Sequence, residues 1–105
     1  MRKLIATLSI VGLLGGLIAY TAFATTPKVP WKIGTNKTVK IRHGQKVTWV
    51  WAGDGAPHNV KGKGFKSPTK SAKGSTYSHV FRTKGKFTIT CTIHPGLMKT
   101  IVKVS

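Results

Sequence analysis

Short runs in which buried and exposed positions alternate are the feature that most constrains the fold of this chain. Val47, Trp49 and Trp51 stand at every second position of one run, and Val39 and Ile41 show the same pattern in another. Successive side chains of a β-strand point to opposite faces, so a period of two predicts strands with one buried face. Further strands are predicted at Trp31–Ile33, His58–Val60, Thr76–Phe81, Phe87–Cys91 and Ile101–Val104.

Turn residues separate these runs, and no segment beyond residue 27 has the three-to-four spacing of an amphipathic helix. About seven short strands at this spacing predict an all-β fold, a small Greek-key β-sandwich. The stretch 61–75 is different, because glycines and a proline are interleaved with lysines. It is predicted to be a long mobile loop that Phe65 anchors.

The first residues of the chain have the order of a secretory signal. Arg2 and Lys3 precede an apolar run, and small residues ending at Ala24 follow it. Cleavage after Ala24 is predicted, which makes the protein exported, periplasmic or otherwise extracytoplasmic; the alternative is an uncleaved helix that anchors it in a membrane. The predicted divisions are a signal peptide over 1–24 (or an anchor through 4–24), a short linker over 25–30 and a single domain over 31–105.

Cys91 is the only cysteine of the chain, which excludes an internal disulfide. In an exported protein a lone cysteine is a free thiol, an intermolecular link or a metal ligand. The residues that follow favour a ligand, because Cys91, His94 and Met98 offer a thiolate, an imidazole and a thioether within a short segment. The Pro95-Gly96 turn can fold His94 and Met98 back toward Cys91.

His58 is the best candidate for a further ligand, because it follows a glycine-rich turn after the apolar strand that ends at Trp51. Two imidazoles, a thiolate and a weak axial thioether are the ligands of an electron-transfer copper site; the sulfur donors suit Cu(I), and the imidazoles also suit Cu(II). Zinc is chemically possible as well, although structural zinc sites favour four strong Cys or His ligands. The other histidines, His43 and His79, are predicted to be structural or surface residues, and the tryptophans to be core.

These residues resemble the cupredoxins, especially the plastocyanin, pseudoazurin and amicyanin branch, over most of 31–104. The resemblance is carried by Val47–Val50 leading to Ala56–Val60, by Gly85–Cys91, and by the spacing of Cys91, His94 and Met98. It implies a cupredoxin-like domain with one type 1 (blue) copper ion. The implied equatorial ligands are His58, Cys91 and His94, and the implied axial ligand is Met98.

The resemblance also implies features around the ligands. Asn59 is expected to form a hydrogen bond near Thr92 that ties the two ligand loops together. Two positions depart from the commonest family pattern: Ile93 stands where many relatives have proline, and the gap between His94 and Met98 is unusual. An apolar docking patch is expected around the site, formed by Ala56, Pro57, Pro95, Gly96 and Leu97.

The chain is strongly basic, with 18 Lys and Arg against one acid and a formal net charge of +17. Such a field steers acidic partners and attracts anionic surfaces. An acidic redox protein is the expected partner, and an anionic membrane or cell-envelope surface is a second candidate. Specific nucleic-acid binding is not expected, because the basic residues are spread from Lys28 to Lys103 and form no dense block or helix-turn-helix. A monomer is expected.

The predicted function is one-electron transfer between redox partners outside the cytoplasm. Enzymatic activity is not expected, because the two remaining histidines are too few for further copper centres. The alternative is an exported protein that stores or delivers copper without electron transfer, which would use the same ligands.

Overall fold

The computed structural model describes residues 26–105, in which eight strands form two sheets. The strands are β1 (Lys28–Trp31), β2 (Asn36–Ile41), β3 (Gln45–Trp51), β4 (Lys61–Gly62), β5 (Phe65–Lys66), β6 (Thr76–Phe81), β7 (Gly85–Thr90) and β8 (Lys99–Val104). A three-stranded sheet has the order β1-β3-β6, and a five-stranded sheet has the order β2-β8-β7-β4-β5. The pairs β1 with β3 and β2 with β8 are parallel, and the other pairs are antiparallel.

The alternating residues face a core between the two sheets. In β3 the side chains of Val47, Trp49 and Trp51 are buried, and in β8 Thr100 and Val102 are buried at the same period of two. The indole nitrogen of Trp49 donates to the hydroxyl of Thr100 at 3.2 Å, which joins one sheet to the other. The prediction of an all-β sandwich is confirmed.

Three tryptophans form the centre of this core, as predicted. Trp31, Trp49 and Trp51 are each at most 1% exposed. An indole buries on the order of 200 Å², so at about 25 cal/mol per Å² each contributes roughly 5 kcal/mol of transfer free energy before entropy costs. A small domain buries little apolar surface, and a single cysteine allows no internal disulfide. The large aromatic side chains supply much of the apolar surface that this domain buries.

The first strand begins at Lys28, three residues before the predicted domain start, and ends at Trp31. The strand predicted at Trp31–Ile33 therefore overlaps it at Trp31 only. The residues of β1 pair in parallel with β3, from Lys28 beside Thr48 to Trp31 beside Trp51. β1 lies at the edge of its sheet. An edge strand tolerates Pro30, which has no N–H to donate. A proline in the sequence argues against a strand, so this one was not predicted.

The predicted strand at His58–Val60 is wrong. His58 forms a single bridge with Lys70, in which each backbone N–H donates to the other residue's carbonyl at 2.8 and 2.9 Å. Val60 bonds instead to Ser67, whose side-chain oxygen accepts from the Val60 N–H at 2.8 Å. Side-chain and bridge contacts here replace a continuous ladder.

The predicted loop at 61–75 is wrong for its first residues, because β4 and β5 form a hairpin on the edge of the five-stranded sheet. Gly62 is buried in this hairpin, and a β-carbon there would meet Phe65 at 2.4 Å and Ile89 at 2.7 Å. Phe65 does anchor the segment, since its ring stacks on His79 with 3.7 Å between centroids. The glycine therefore serves close packing and not mobility.

The predicted signal or anchor over 1–24 lies outside the described residues. Residues 26–105 contain no helix that is apolar and long enough to span a bilayer.

Candidate metal centre

The ligand loop begins where β7 ends. Cys91 directly follows the last residue of the strand and is 1% exposed. Three residues later a turn begins in which the Leu97 N–H donates to the His94 carbonyl at 3.1 Å. Gly96 has a φ of +77°, which with Pro95 before it is the pattern of a type II turn. Strand end and turn together carry the thiol and the imidazole toward one point.

The second loop connects β3 to the bridge at His58. This bridge with Lys70 fixes the backbone of His58, and the side chain is 1% exposed. The following residue, Asn59, is also buried, and its carbonyl accepts a 2.9 Å hydrogen bond from the indole of Trp31. A hydrogen bond from a core tryptophan therefore fixes the loop that carries His58.

The two loops bring three candidate ligands together as predicted. The Nδ1 atoms of His58 and His94 lie 3.3 Å apart, and the Cys91 sulfur lies 3.7 Å from the Nδ1 of His94. One ligand atom from each of the three residues falls within 4.8 Å of the other two. His43 and His79 are not part of this cluster, and His43 instead bonds through Nδ1 to the Ser105 carbonyl at 3.1 Å.

Asn59 and Thr92 tie the two ligand loops to each other, and the expected hydrogen bond is confirmed. The Asn59 amide donates to the Thr92 hydroxyl at 2.8 Å, and its carbonyl oxygen accepts from the Thr92 N–H at 2.9 Å. Thr92 follows Cys91, and Asn59 follows His58. The two bonds therefore fix the distance between the Cys91 sulfur in one loop and the His58 imidazole in the other.

Asp54 is a neighbour of the cluster that the sequence patterns did not identify. Its two carboxylate oxygens lie 2.8 and 2.9 Å from the Nε2 of His58, on the side of the ring away from the cluster. The backbone N–H of Ile33 is the largest influence that lowers the pKa of Asp54, to about 2; the N–H of Ala56 and the His58 ring also lower it, against partial burial. The one signal in the sequence is that the only acid lies four residues before a predicted ligand.

Met98 is buried at 1% exposure just after the turn. The residues on both sides of it bond to the loop after β1, through Gly34 N–H to the Leu97 carbonyl at 2.9 Å and Lys99 N–H to the Thr35 carbonyl at 2.8 Å. These bonds fix the backbone that carries the thioether. Its role as the axial ligand stays a prediction.

The cluster fits a metal ion by spacing and by donor type. Metal bonds to nitrogen and sulfur are about 2.0–2.3 Å long, so three donors in a trigonal plane lie roughly 3.6 Å apart. The observed contacts of 3.3 and 3.7 Å agree with that spacing. One thiolate with two imidazoles is the trigonal donor set of a blue copper site, with a weak axial thioether as its usual companion.

Comparison with known proteins agrees with this assignment. A profile of copper-binding proteins, the plastocyanin/azurin family, matches residues 35–105. Among solved structures, a purple cupredoxin from Nitrosopumilus maritimus is 30% identical over 65% of this chain and 77% of that chain, with a TM-score of 0.59. An amicyanin mutant in its Cu(I) form is also 30% identical, over 76% of this chain and 82% of that chain, with a TM-score of 0.63.

A further amicyanin mutant, in its oxidized state, is 28% identical over 76% of this chain and 82% of that chain, with a TM-score of 0.63. Comparison with curated proteins gives no match. The two-sheet fold, the convergence of His58, Cys91 and His94, and the buried Met98 fit one type 1 copper ion. The chain belongs to the plastocyanin/azurin family of copper-binding proteins.

Proposed function

We propose that this protein carries one electron at a time between redox partners outside the cytoplasm, using a single type 1 copper ion. The observation that carries the proposal is the cluster of one thiol and two imidazoles at the end of a rigid sandwich. Bound copper supplies a centre that accepts and releases one electron, because a thiolate suits Cu(I) while imidazoles also suit Cu(II). Residues 1–24 supply the predicted route of export.

The chain holds its ligands in place by contacts that do not involve the metal. Asn59 and Thr92 join the ligand loops, Asp54 bonds the outer nitrogen of His58, and the turn at Pro95 and Gly96 closes on His94. Ligands held this way move little between oxidation states. Small movement favours fast electron exchange, since little of the site must rearrange with each transfer.

His94 provides the route by which electrons reach the site. His58 and Cys91 are each 1% exposed, whereas His94 is partly exposed. Among residues 26–105, the large apolar side chains that are exposed are Ile33, Ile93 and Leu97 at 40–54%, and Leu97 and Ile93 flank His94 in the ligand loop. The Gly34 N–H bonds to the Leu97 carbonyl, which brings Ile33 to the same end of the molecule.

This exposed apolar cluster supports a docking surface at the His94 edge, since grouped exposed apolar side chains mark contact sites. A partner that covers Ile93 and Leu97 brings its own redox centre close to the imidazole. An acidic redox protein suits the surrounding charge, because the chain has 18 basic residues and a single acid that is engaged at His58. Solved amicyanin structures in Cu(I) and oxidized forms are consistent with a carrier that cycles between both states.

The experiment is voltammetry of the copper-loaded protein, with the copper content measured before and after many cycles. A carrier gives a reversible one-electron couple and retains its copper, and Cys91→Ser gives no such couple. A protein that delivers copper would instead lose Cu(I) to a copper-free acceptor protein present during reduction. Loss of the metal on the first reduction would contradict electron transfer as the function and favour delivery.

A further inference from the structure

We propose that Asp54 is a positioning residue that fixes the ligating face of His58, and that its negative charge stabilises the oxidised site and lowers the reduction potential. The effect on the reduction potential rests on the proposed function, whereas the positioning of His58 does not. Asp54 is the sole acidic residue among the 105 of the chain, and it lies against the outer nitrogen of a ligand.

The geometry of the pair selects one tautomer of His58. An ionised carboxylate only accepts hydrogen bonds, so the Nε2 atom at 2.8 and 2.9 Å from its oxygens carries the proton. In the neutral ring the Nδ1 atom then keeps its lone pair, and this is the atom that faces the Nδ1 of His94 at 3.3 Å. Asp54 thereby presents the metal-binding form of the ring before any metal arrives.

The carboxylate is itself fixed in place. The Ile33 N–H donates to Oδ2 at 2.8 Å, and the Ala56 N–H donates to Oδ1 at 3.1 Å. Although Asp54 as a residue is exposed, its side chain is only 22% exposed. An aspartate is ionised at neutral pH, and the two backbone N–H donors bond to its carboxylate form. The loop after β1 and the loop after β3 thus hold the pair between them, and it is not a mobile surface ion pair.

The sign of the effect on the redox couple follows from charge. Cu(II) carries one more positive charge than Cu(I), so a fixed negative charge on the far side of a ligand imidazole favours Cu(II). The rest of the chain is basic and favours Cu(I). Removing the Asp54 charge is therefore expected to raise the reduction potential.

The test compares the wild-type protein with Asp54→Asn, Asp54→Glu and Thr83→Lys. Thr83 is exposed in the turn before β7, about 20 Å along that strand from Cys91. Thr83→Lys therefore changes the net charge as Asp54→Asn does, but far from the ligands. The measured quantities are the reduction potential and the ratio of Cu(II) to Cu(I) affinities.

Asp54→Asn is expected to lower that affinity ratio about tenfold, which for a one-electron couple raises the potential by about 59 mV. Asp54→Glu keeps the charge and is expected to lie close to the wild type, as is Thr83→Lys. An unchanged potential in Asp54→Asn, or an equal rise in Thr83→Lys, would overturn the local charge effect. If Asp54→Asn does not fold, Asp54→Glu decides the test. A tenfold change of its Cu(II)/Cu(I) affinity ratio from that of the wild type would overturn the local charge effect as well.

A second measurement needs no copper and separates this inference from the proposed function. Nitrogen-15 NMR of the copper-free wild-type protein is expected to show His58 protonated at Nε2, and Asp54→Asn to show a mixture of tautomers. Protonation at Nδ1 in the wild type would overturn the positioning role. Failure of the wild type to give a reversible copper couple would instead overturn the electron-carrier function, with the tautomer result still deciding the role of Asp54.

Discussion

Asn59 shows at the scale of one residue how the core reaches the metal centre. Its carbonyl accepts from the buried Trp31 indole, and its side chain makes both hydrogen bonds to Thr92 in the other ligand loop. A single buried amide therefore connects the core, the loop of His58 and the loop of Cys91.

Asn59→Ala is expected to lower the free energy of unfolding of the copper-free protein by about 2–4 kcal/mol. It removes two hydrogen bonds worth about 1 kcal/mol each and leaves polar groups without partners. Urea unfolding measures the change. The matched variant Thr92→Val removes only the hydroxyl acceptor at an exposed position and should cost about 1 kcal/mol. Equal losses in the two variants would contradict the role given to the amide.

Residue types and spacing were enough to predict that Cys91, His94 and His58 lie together, because their side chains are chemically distinctive. Asp54 was not predicted, since one acid before a histidine has no spacing that separates a bonded pair from a chance neighbour. Its role depends on the path of the loop after β1, where the Ile33 N–H turns toward the carboxylate. The Asn59 contact could be expected only from the family resemblance.

The β4–β5 hairpin is one of the elements that the sequence patterns misassigned, and Gly62 allows it to pack closely. Gly62→Ala is expected to destabilise the protein by about 1–3 kcal/mol, because its β-carbon would overlap the rings and methyl groups of Phe65 and Ile89. Thermal or urea unfolding measures it. Lys63→Ala, at an exposed neighbour, should stay within about 0.5 kcal/mol of the wild type. A neutral Gly62→Ala would show that the hairpin is not packed against β7.

His79 in β6 links the hairpin to the aromatic side of the sandwich. Its ring stacks on Phe65 and meets Phe81 edge-on with 4.9 Å between centroids. Partial burial lowers the pKa of His79 below its ordinary value of 6.5. Protonation is therefore harder in the folded than in the unfolded chain, so this group destabilises the fold as pH falls below 6.5 toward the lowered pKa, and has no such effect well above 6.5.

His79→Phe keeps an aromatic ring in the stack and removes the titrating group. The variant is expected to lose less stability than the wild type between pH 8 and pH 5, measured as the free energy of unfolding of the copper-free proteins. The other titrating groups are common to both proteins and cancel in the comparison. Parallel stability curves over this range would contradict the assignment.

Strands with clear alternation, such as β3, β6 and β7, were predictable to within about two residues of their ends, because burial of one face leaves a period of two. β1, β4 and β5 were not. Pro30 argues against a strand, although β1 is an edge strand that tolerates it. Gly62 and Gly64 are typical of loops, although Gly62 is closely packed. The position of these short strands depends on their partner strands more than on their own sequence.

Charge acts at the scale of the whole molecule. With a formal net charge of +17, electron exchange with an acidic redox protein should slow as ionic strength rises, because salt screens the long-range attraction. Stopped-flow kinetics measure the rate. Reduction by an uncharged small molecule is the control and should depend far less on salt. Equal salt dependence in the two reactions would contradict steering by the basic surface.

The central claim is that His58, Cys91 and His94, from two loops of one sandwich, hold a single copper ion. The most direct measurement is titration of the protein with Cu(II) while the visible spectrum is recorded. We predict an intense thiolate-to-copper charge-transfer band that saturates at one copper per chain and is absent in Cys91→Ser. A wild-type spectrum without that band, or an equal band in Cys91→Ser, would contradict the account.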